Sequence, residues 1–322
     1  MKERLDKIDR RLLYELDWNA RQAETELAKK IGRSRETVRY RIAQLEKNGV
    51  ISGYTTWIDV ARLGYNVYKI YLKIGGTEEE REEFFTAMKG RADLFWLGIA
   101  DGAWDVGLTF FAKSNEDFFE RKNEIFAKYS PIILQKFTGA MVEVYVYPKK
   151  FLYQAEEERI PFFGKVEDNR LDDVDRKILS ELFRNSRVKL VELAAKAGVS
   201  VDIARGRMKS MKEKGIIVGY RAQVDYQKLG MEFYKSFLYF DSFSKEDERK
   251  LFEIAKQDQN ILHLIKLISP WDIELEIMVE NYQDYNKIIR HLKAEFPNLR
   301  NVESATMSGD FVFPAKETIM KL

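Results

Sequence analysis

The chain is written twice, and that constrains its fold more than any other feature. LDKIDRRLLYEL begins at Leu5 and LDDVDRKILSEL at Leu171, an offset of 166 residues. The same offset carries Asn19-Ala20-Arg21 onto Asn185-Ser186-Arg187, Glu26-Leu27-Ala28 onto Glu192-Leu193-Ala194, Gly53-Tyr54 onto Gly219-Tyr220 and Leu63-Gly64 onto Leu229-Gly230. Trp104-Asp105 meets Trp271-Asp272 at offset 167, and Pro148 meets Pro314 at 166. Any fold must therefore build two copies of one unit into the 322 residues. Between the copies, FLYQAEEERIPFFGKVEDNR reads as a linker, acidic in its middle and aromatic at both ends.

Each unit opens with helices. Ile8, Leu12, Leu13 and Leu16 form one apolar stripe at helical spacing. TELAKKIG is a shorter amphipathic helix stopped by Gly32, a residue suited to a left-handed cap. Ser34 caps a third helix whose apolar positions are Val38, Ile42 and Leu45, and Lys47-Asn48-Gly49 ends it before a strand-like wing, VISGYTTWIDV. Helix, short helix, glycine turn, helix and wing make a winged helix-turn-helix.

On a wheel, the side of the third helix opposite Val38, Ile42 and Leu45 carries Thr37, Tyr40 and Gln44, with Arg33 entering from the turn. Arg35 and Arg39 flank it on one edge and Arg41 on the other. Short polar groups and an aromatic toward base edges, with arginines toward phosphates, suit a helix that reads a groove of double-stranded DNA. Charge agrees. Windows 1–57 and 167–223 each hold 13 Lys+Arg and 9 Asp+Glu, a net of +4 apiece in a chain of +2, which leaves −6 for everything else. The second head departs from the first, because Arg33, Arg35 and Tyr40 become Val199, Val201 and Gly206. Arg205, Arg207 and Lys209 keep it basic, so it is expected to hold the DNA backbone with little reading of sequence.

The rest of each unit alternates. VYKIYLKI (67–74) sends Tyr68, Ile70, Leu72 and Ile74 to one face of a strand. The pattern then predicts a helix over 78–89, strands over 94–100 and 105–112, a helix over 115–128 and a strand over 136–147. This βαββαβ order gives a four-stranded antiparallel, ferredoxin-like sheet with helices on one face. Its other face needs a partner, and 233–312 supplies a second such sheet. Pairing within the chain is expected, because the linker reaches between neighbouring sheets and the partner is always at hand.

ELAKKIGRSRETVRYRIAQLEKNGVISGY followed by a βαββαβ domain resembles the leucine-responsive/AsnC family of feast-or-famine transcription regulators, here as two units fused over roughly 4–150 and 170–318. The expected fold is α+β, two winged helix-turn-helix domains alternating with two ferredoxin-like domains. The boundaries are 1–60 for the first head, 66–150 for its βαββαβ domain, 151–170 for the linker, 171–226 for the second, degenerate head and 232–318 for the second βαββαβ domain. The resemblance implies homo-oligomers built through the sheets and an amino-acid-like effector near the loop between the second and third strands. In the first unit that loop is Asp101, Gly102, Trp104 and Asp105; its counterpart, Ser269-Pro270-Trp271-Asp272, lacks the glycine.

Enzymatic motifs are missing: no G-x-x-x-x-G-K-S/T, no G-x-G-x-x-G after a strand and no G-x-S-x-G. No catalytic residue, metal or cofactor is expected. Only two histidines occur, His263 in the apolar run NILHLIKLI, expected to be packed or paired, and His291 on a helix. The alternatives are an AsnC-like sirohaem decarboxylase, disfavoured because LFWLGIADGAWDVGLTFF holds neither histidine nor arginine, and an effector sensor that does not bind DNA. Without cysteine, without an apolar leader in MKERLDKIDRR and without an apolar run of membrane length, the chain is expected in the cytoplasm. A charged fraction of 33% beside absent cysteine is a composition expected of a heat-loving source.

Overall fold

A computed structural model describes residues 4–154 and 160–312, with side chains described up to Ser308. Residues 313–318 of the expected second sheet domain, Pro314 among them, and the acidic middle of the linker lie outside the described residues.

The first unit runs α1 (Lys7–Trp18), α2 (Glu24–Ile31), α3 (Arg35–Lys47), β1 (Ile51–Ile58), a 3-10 turn (Val60–Arg62), β2 (Asn66–Ile74), α4 (Glu78–Lys89), β3 (Leu94–Gly102), β4 (Val106–Ala112), α5 (Asn115–Lys128) and β5 (Ile133–Val146). After β6 (Ile160–Phe162) the order repeats as α6 (Asp173–Arg184), α7 (Leu190–Ala197), α8 (Val201–Glu213), β7 (Ile217–Val224), β8 (Glu232–Phe240), α9 (Lys245–Gln257), β9 (Ile261–Ile268), β10 (Ile273–Val279), α10 (Tyr282–Glu295) and β11 (Leu299–Val312). The fold is α+β, with two winged heads and two βαββαβ sheets. Local chemistry explains the helix ends. Asp6 and Asp172 form capping boxes with Asp9 and Asp175, Ser34 and Ser200 accept from the third residue onward, and Gly32 and Gly198 end α2 and α7 at φ 69° and 74°.

The sheets close on each other within the chain. β5 and β11 are 14 residues long, and each divides its length between the two units. The first part of β5 pairs with β2 (Tyr68 opposite Ala140) and the last part with β9 (Val146 opposite His263). Likewise β11 pairs first with β8 (Val302 opposite Leu238) and then with β3 (Ala305 opposite Gly102). The result is a ring, β2-β4-β3-β11-β8-β10-β9-β5 and back to β2, with β6 beside the end of β5. The sheet pairing expected within the chain is thus made there, because the second copy offers the same strand edges at high local concentration.

Helices cover the outside of the ring, where Phe84, Met88, Phe118 and Ile125 pack on Ile70, Leu72 and Leu108, and Leu251, Ile289 and Leu292 on Leu264 and Leu275. Inside, Tyr71 meets Phe237 and Trp271 edge-on at 5.3 and 5.5 Å. A charged cluster shares this interior. Glu274 accepts from Lys69 (2.5 Å), Tyr71 (2.8 Å) and Trp271 (3.2 Å), while Glu276 takes Lys235 on one oxygen and His263 on the other. Burial drives the Lys69 ammonium pKa down to about 8 against the pull of Glu274. Burial also opposes ionisation of Glu276, but Lys235 and His263 outweigh it and hold that carboxyl well below its ordinary value. Beside this cluster lies a cavity of about 160 Å³, walled by the ring, by β1 and by the linker aromatics Phe162 and Phe163.

The heads are also joined. β1 and β7 form a two-stranded antiparallel sheet, with Thr56 opposite Tyr220. α1 packs on β7 and α6 on β1, so each head rests its first helix on the other's wing. No helix among the described residues is long and apolar enough to cross a membrane.

Candidate nucleic-acid interface

Val38, Ile42 and Leu45 are buried, which turns the opposite side of α3 outward. Arg35, Arg39 and Tyr40 are exposed there, Tyr40 at 63%, and Arg33 is exposed at the preceding turn, where it donates to the Gly32 carbonyl at 2.8 Å. Thr37 is half-buried, its backbone N–H on the Ser34 hydroxyl at 3.2 Å, and Gln44 is half-buried one turn from the far end. These six side chains therefore share the solvent side of one helix and its entry turn.

Two arginines of this helix have protein partners. Arg39 reaches Glu24 of α2 at 2.7 Å and holds that carboxyl below its ordinary value. The pair is solvent-exposed, and such pairs exchange readily for another anion. Arg41 instead points to the start of α1, 2.6 Å from Asp6 and 3.0 Å from Asp9. Burial opposes ionisation of Asp6, yet the Asp9 backbone N–H and Arg41 together hold its carboxyl below the usual range.

The second head repeats this last device. Arg207, expected to touch the DNA backbone, lies 2.7 Å from Asp172 and 3.3 Å from Asp175, the same cap that Arg41 holds in the first head. It ties α8 to α6 as Arg41 ties α3 to α1. Arg205 and Lys209 are exposed, each beside an acid of its own helix, Asp202 and Glu213. Otherwise the face has turned apolar. Val199 and Val201 pack partly against the core, Ile203 is 49% exposed where the first head has Thr37, and Val191 of α7 is 68% exposed.

The heads are held as a near two-fold pair. Ala20 N–H donates to the Tyr220 carbonyl at 2.8 Å, and Ser186 N–H to that of Tyr54 at 3.0 Å. The Arg21 guanidinium donates to the Val188 carbonyl at 2.9 Å and Arg187 to that of Ala20 at 3.1 Å, and each lies over the facing tyrosine, Tyr220 or Tyr54. In the sequence Arg21 and Arg187 read only as repeat markers. Their recurrence in both units, outside any apolar stripe, was the available signal for an interface role.

In the loop expected to bind an effector, Asp101 and Gly102 pair with β11 of the other unit, and Asp105 is held by its own unit. Asp105 accepts from Lys73 and from the Ile74 backbone N–H at 2.8 and 2.9 Å, and Asp272 repeats this with the Phe240 N–H at 2.8 Å. Trp104 is half-buried beside Tyr71 and Trp271, Gly102 sits against β11 at φ 126°, and Asp101 and Gly102 are exposed. His263 is paired with Glu276, and His291 is exposed on α10.

Two helix-turn-helix heads, one with an arginine-bearing groove face, on a closed pair of βαββαβ sheets define a double-headed winged-helix protein. Residues 5–52 match the winged helix-turn-helix DNA-binding family, and residues 171–212 match the AsnC-type helix-turn-helix domain. An uncharacterized HTH-type transcriptional regulator of Pyrococcus horikoshii is 34% identical over 122 residues, which is 36% of this chain and 79% of the relative. A counterpart in Pyrococcus furiosus is 28% identical over 120 residues, 37% of this chain and 80% of its own. The chain belongs to the leucine-responsive/AsnC family of transcription regulators. In shape it is similar, with a TM-score of 0.65 and 10% identity, to the crystal structure of the siroheme decarboxylase NirDL over 98% of this chain and 96% of that one. That likeness shows the fold alone.

Proposed function

We propose that the chain is a sequence-specific, DNA-binding transcription regulator in which a single polypeptide supplies both heads of the usual pair. The exposed side of α3, opposite the buried Val38, Ile42 and Leu45, carries this reading. Arg33, Arg35 and Arg39 serve as phosphate or guanine contacts, with Thr37, Tyr40 and Gln44 toward the bases. Arg205 and Lys209 give the second head a grip on the backbone. In this reading the heads are 1–60 and 171–226, the sheet domains 66–150 and 232–318, and the linker 151–170. Small-molecule control through Asp101, Gly102, Trp104 and Asp105 stays part of this reading: Asp101 is exposed, and the buried Trp104 Nε1 has no hydrogen-bond partner among the described residues. A salt titration tests it: replacing Arg35 and Arg39 with glutamine should weaken duplex binding and reduce the slope of log affinity against log salt by about 2, near 0.9 for each phosphate no longer neutralised. An unchanged slope refutes the assignment.

A second reading, decarboxylation of a tetrapyrrole such as sirohaem, is supported by the fold shared along the whole chain. The size of the cavity weighs against it. About 160 Å³ is near the volume that admits one benzene ring, and a macrocycle of four pyrroles is several times larger. A sirohaem titration followed by visible absorption decides it: the regulator reading expects no shift of the Soret band at equimolar protein.

A further inference from the structure

We infer that the cavity between the ring and the heads binds a small monocarboxylate with an apolar body about the size of one ring. Its floor is the charged cluster. Each carboxylate oxygen already accepts: Glu274 takes Tyr71 and Trp271 on one oxygen and Lys69 and Tyr71 on the other, and Glu276, which also lines the cavity, takes Lys235 on one oxygen and His263 on the other. The donors are not used up. An ammonium has three hydrogens, and Lys69 commits two, to Glu274 and to the Tyr71 hydroxyl at 3.2 Å, while Lys235 commits one to Glu276. Both lysines line the cavity, at matching positions of the two units. An accepting group on a ligand meets these unused ammonium hydrogens, and an anion takes them best. Lys69, already driven toward neutrality by burial, is further stabilised as a cation by such a neighbour.

The remaining walls fix the body of the ligand. Trp57, Phe95, Trp96, Met141, Phe162 and Phe163 are apolar, and apolar walls with a few convergent polar groups are the usual make-up of a small-molecule site. The space is that of one ring or one branched chain rather than a fused system.

The position of the cavity gives binding a consequence. Thr56 and Trp57 belong to the wing of the first head and Phe183 to α6 of the second, and Thr56 donates to the Leu182 carbonyl at 2.8 Å. A ligand here touches the seam that fixes the two heads relative to each other. That consequence rests on the DNA-binding reading, whereas binding itself is measured without DNA.

The test is calorimetry on the full chain with phenylacetate as the probe and phenylacetamide as its uncharged isostere. Phenylacetate should bind with a stoichiometry of one and at least tenfold more tightly than the amide. Thr109→Phe, which fills the cavity from β4, should abolish binding, with a thermal melt reporting that the variant is folded. Equal affinity for acid and amide, no heat with the acid at millimolar concentration, or undiminished binding to folded Thr109→Phe each overturns the inference. If that variant does not fold, the comparison on the unaltered chain decides.

Discussion

Lys69 of β2 donates to Glu274 of β10 at 2.5 Å, although 205 residues separate them and neither side chain is more than 4% exposed. The first unit is thus tied to the second by a buried charge pair in the middle of the ring, and the two sheets form one core. Removing one partner strands the other charge out of water, which typically costs about 3–5 kcal/mol. Glu274→Gln and Lys69→Met should each lower stability by that order in urea unfolding. The double variant Lys69→Met/Glu274→Leu should recover much of the loss. Additive losses would show that the pair is not coupled.

A second prediction concerns acid. Asp59 ends the β1 wing, accepts from the Ala61 and Phe163 backbone N–H groups at 3.0 and 3.3 Å, and is buried; burial raises its pKa from 3.8 to about 6 despite those bonds. Between these values the folded chain holds a proton that the unfolded chain has lost. This carboxyl therefore opposes folding fully above about pH 6, by on the order of 2–3 kcal/mol, and ceases to do so as pH falls toward 4. Asp59→Asn is not subject to this titration. Its stability relative to the natural chain should drop between pH 7 and pH 5, read from paired denaturant curves; a pH-independent difference contradicts the burial argument.

Two glycines should respond in opposite directions to alanine. Gly102 has φ 126°, and a Cβ there would lie 2.5 Å from the Ser304 carbonyl oxygen across the β3–β11 seam, so Gly102→Ala should destabilise by about 2 kcal/mol or more. Gly206 lies inside α8, exposed, with nothing near its would-be Cβ, so Gly206→Ala should stabilise by about 0.5–1 kcal/mol. Melting temperatures of the two variants check both signs.

Much of this architecture was legible because caps and periodicity are local. The 78–89 and 115–128 helices coincide with α4 and α5, since Thr77 and Ser114 cap them where the apolar spacing begins. What crosses between units was not local. The strand expected over 94–100 runs on to Gly102, because Asp101 and Gly102, which read as a turn, are paired with Thr306 and Ala305 of the other unit. Lys69 in VYKIYLKI reads as a residue of the polar face; only the second sheet, bringing Glu274, makes that face an interior. The three-residue β6 has too few positions to alternate and contains Pro161. On the candidate interface, helix spacing identified the outward side of α3, but not that Arg41 and Arg207 reach the caps of α1 and α6.

The loss of reading groups from the second head can be reversed. Val201→Arg with Gly206→Tyr restores on α8 the residue types that α3 carries at 35 and 40, and Gly206 has open space around it. The variant should bind a duplex carrying two copies of the preferred half-site more tightly than the natural chain does, by roughly tenfold for 1–3 kcal/mol of added base and phosphate interactions. No gain, measured by fluorescence anisotropy at fixed salt, would show that the second head is not poised over DNA.

In the proposed reading one chain presents two unlike heads, fixed by the β1–β7 sheet and by Arg21 and Arg187, to one stretch of DNA. Hydroxyl-radical footprinting on a duplex selected from random sequence tests it most directly, because protein symmetry is copied into the site. The prediction is an asymmetric site, with one half invariant among selected sequences and strongly protected, and the other half, about one helical turn away, protected on the backbone but free in sequence. A palindromic core with both halves equally specified and equally protected would contradict it.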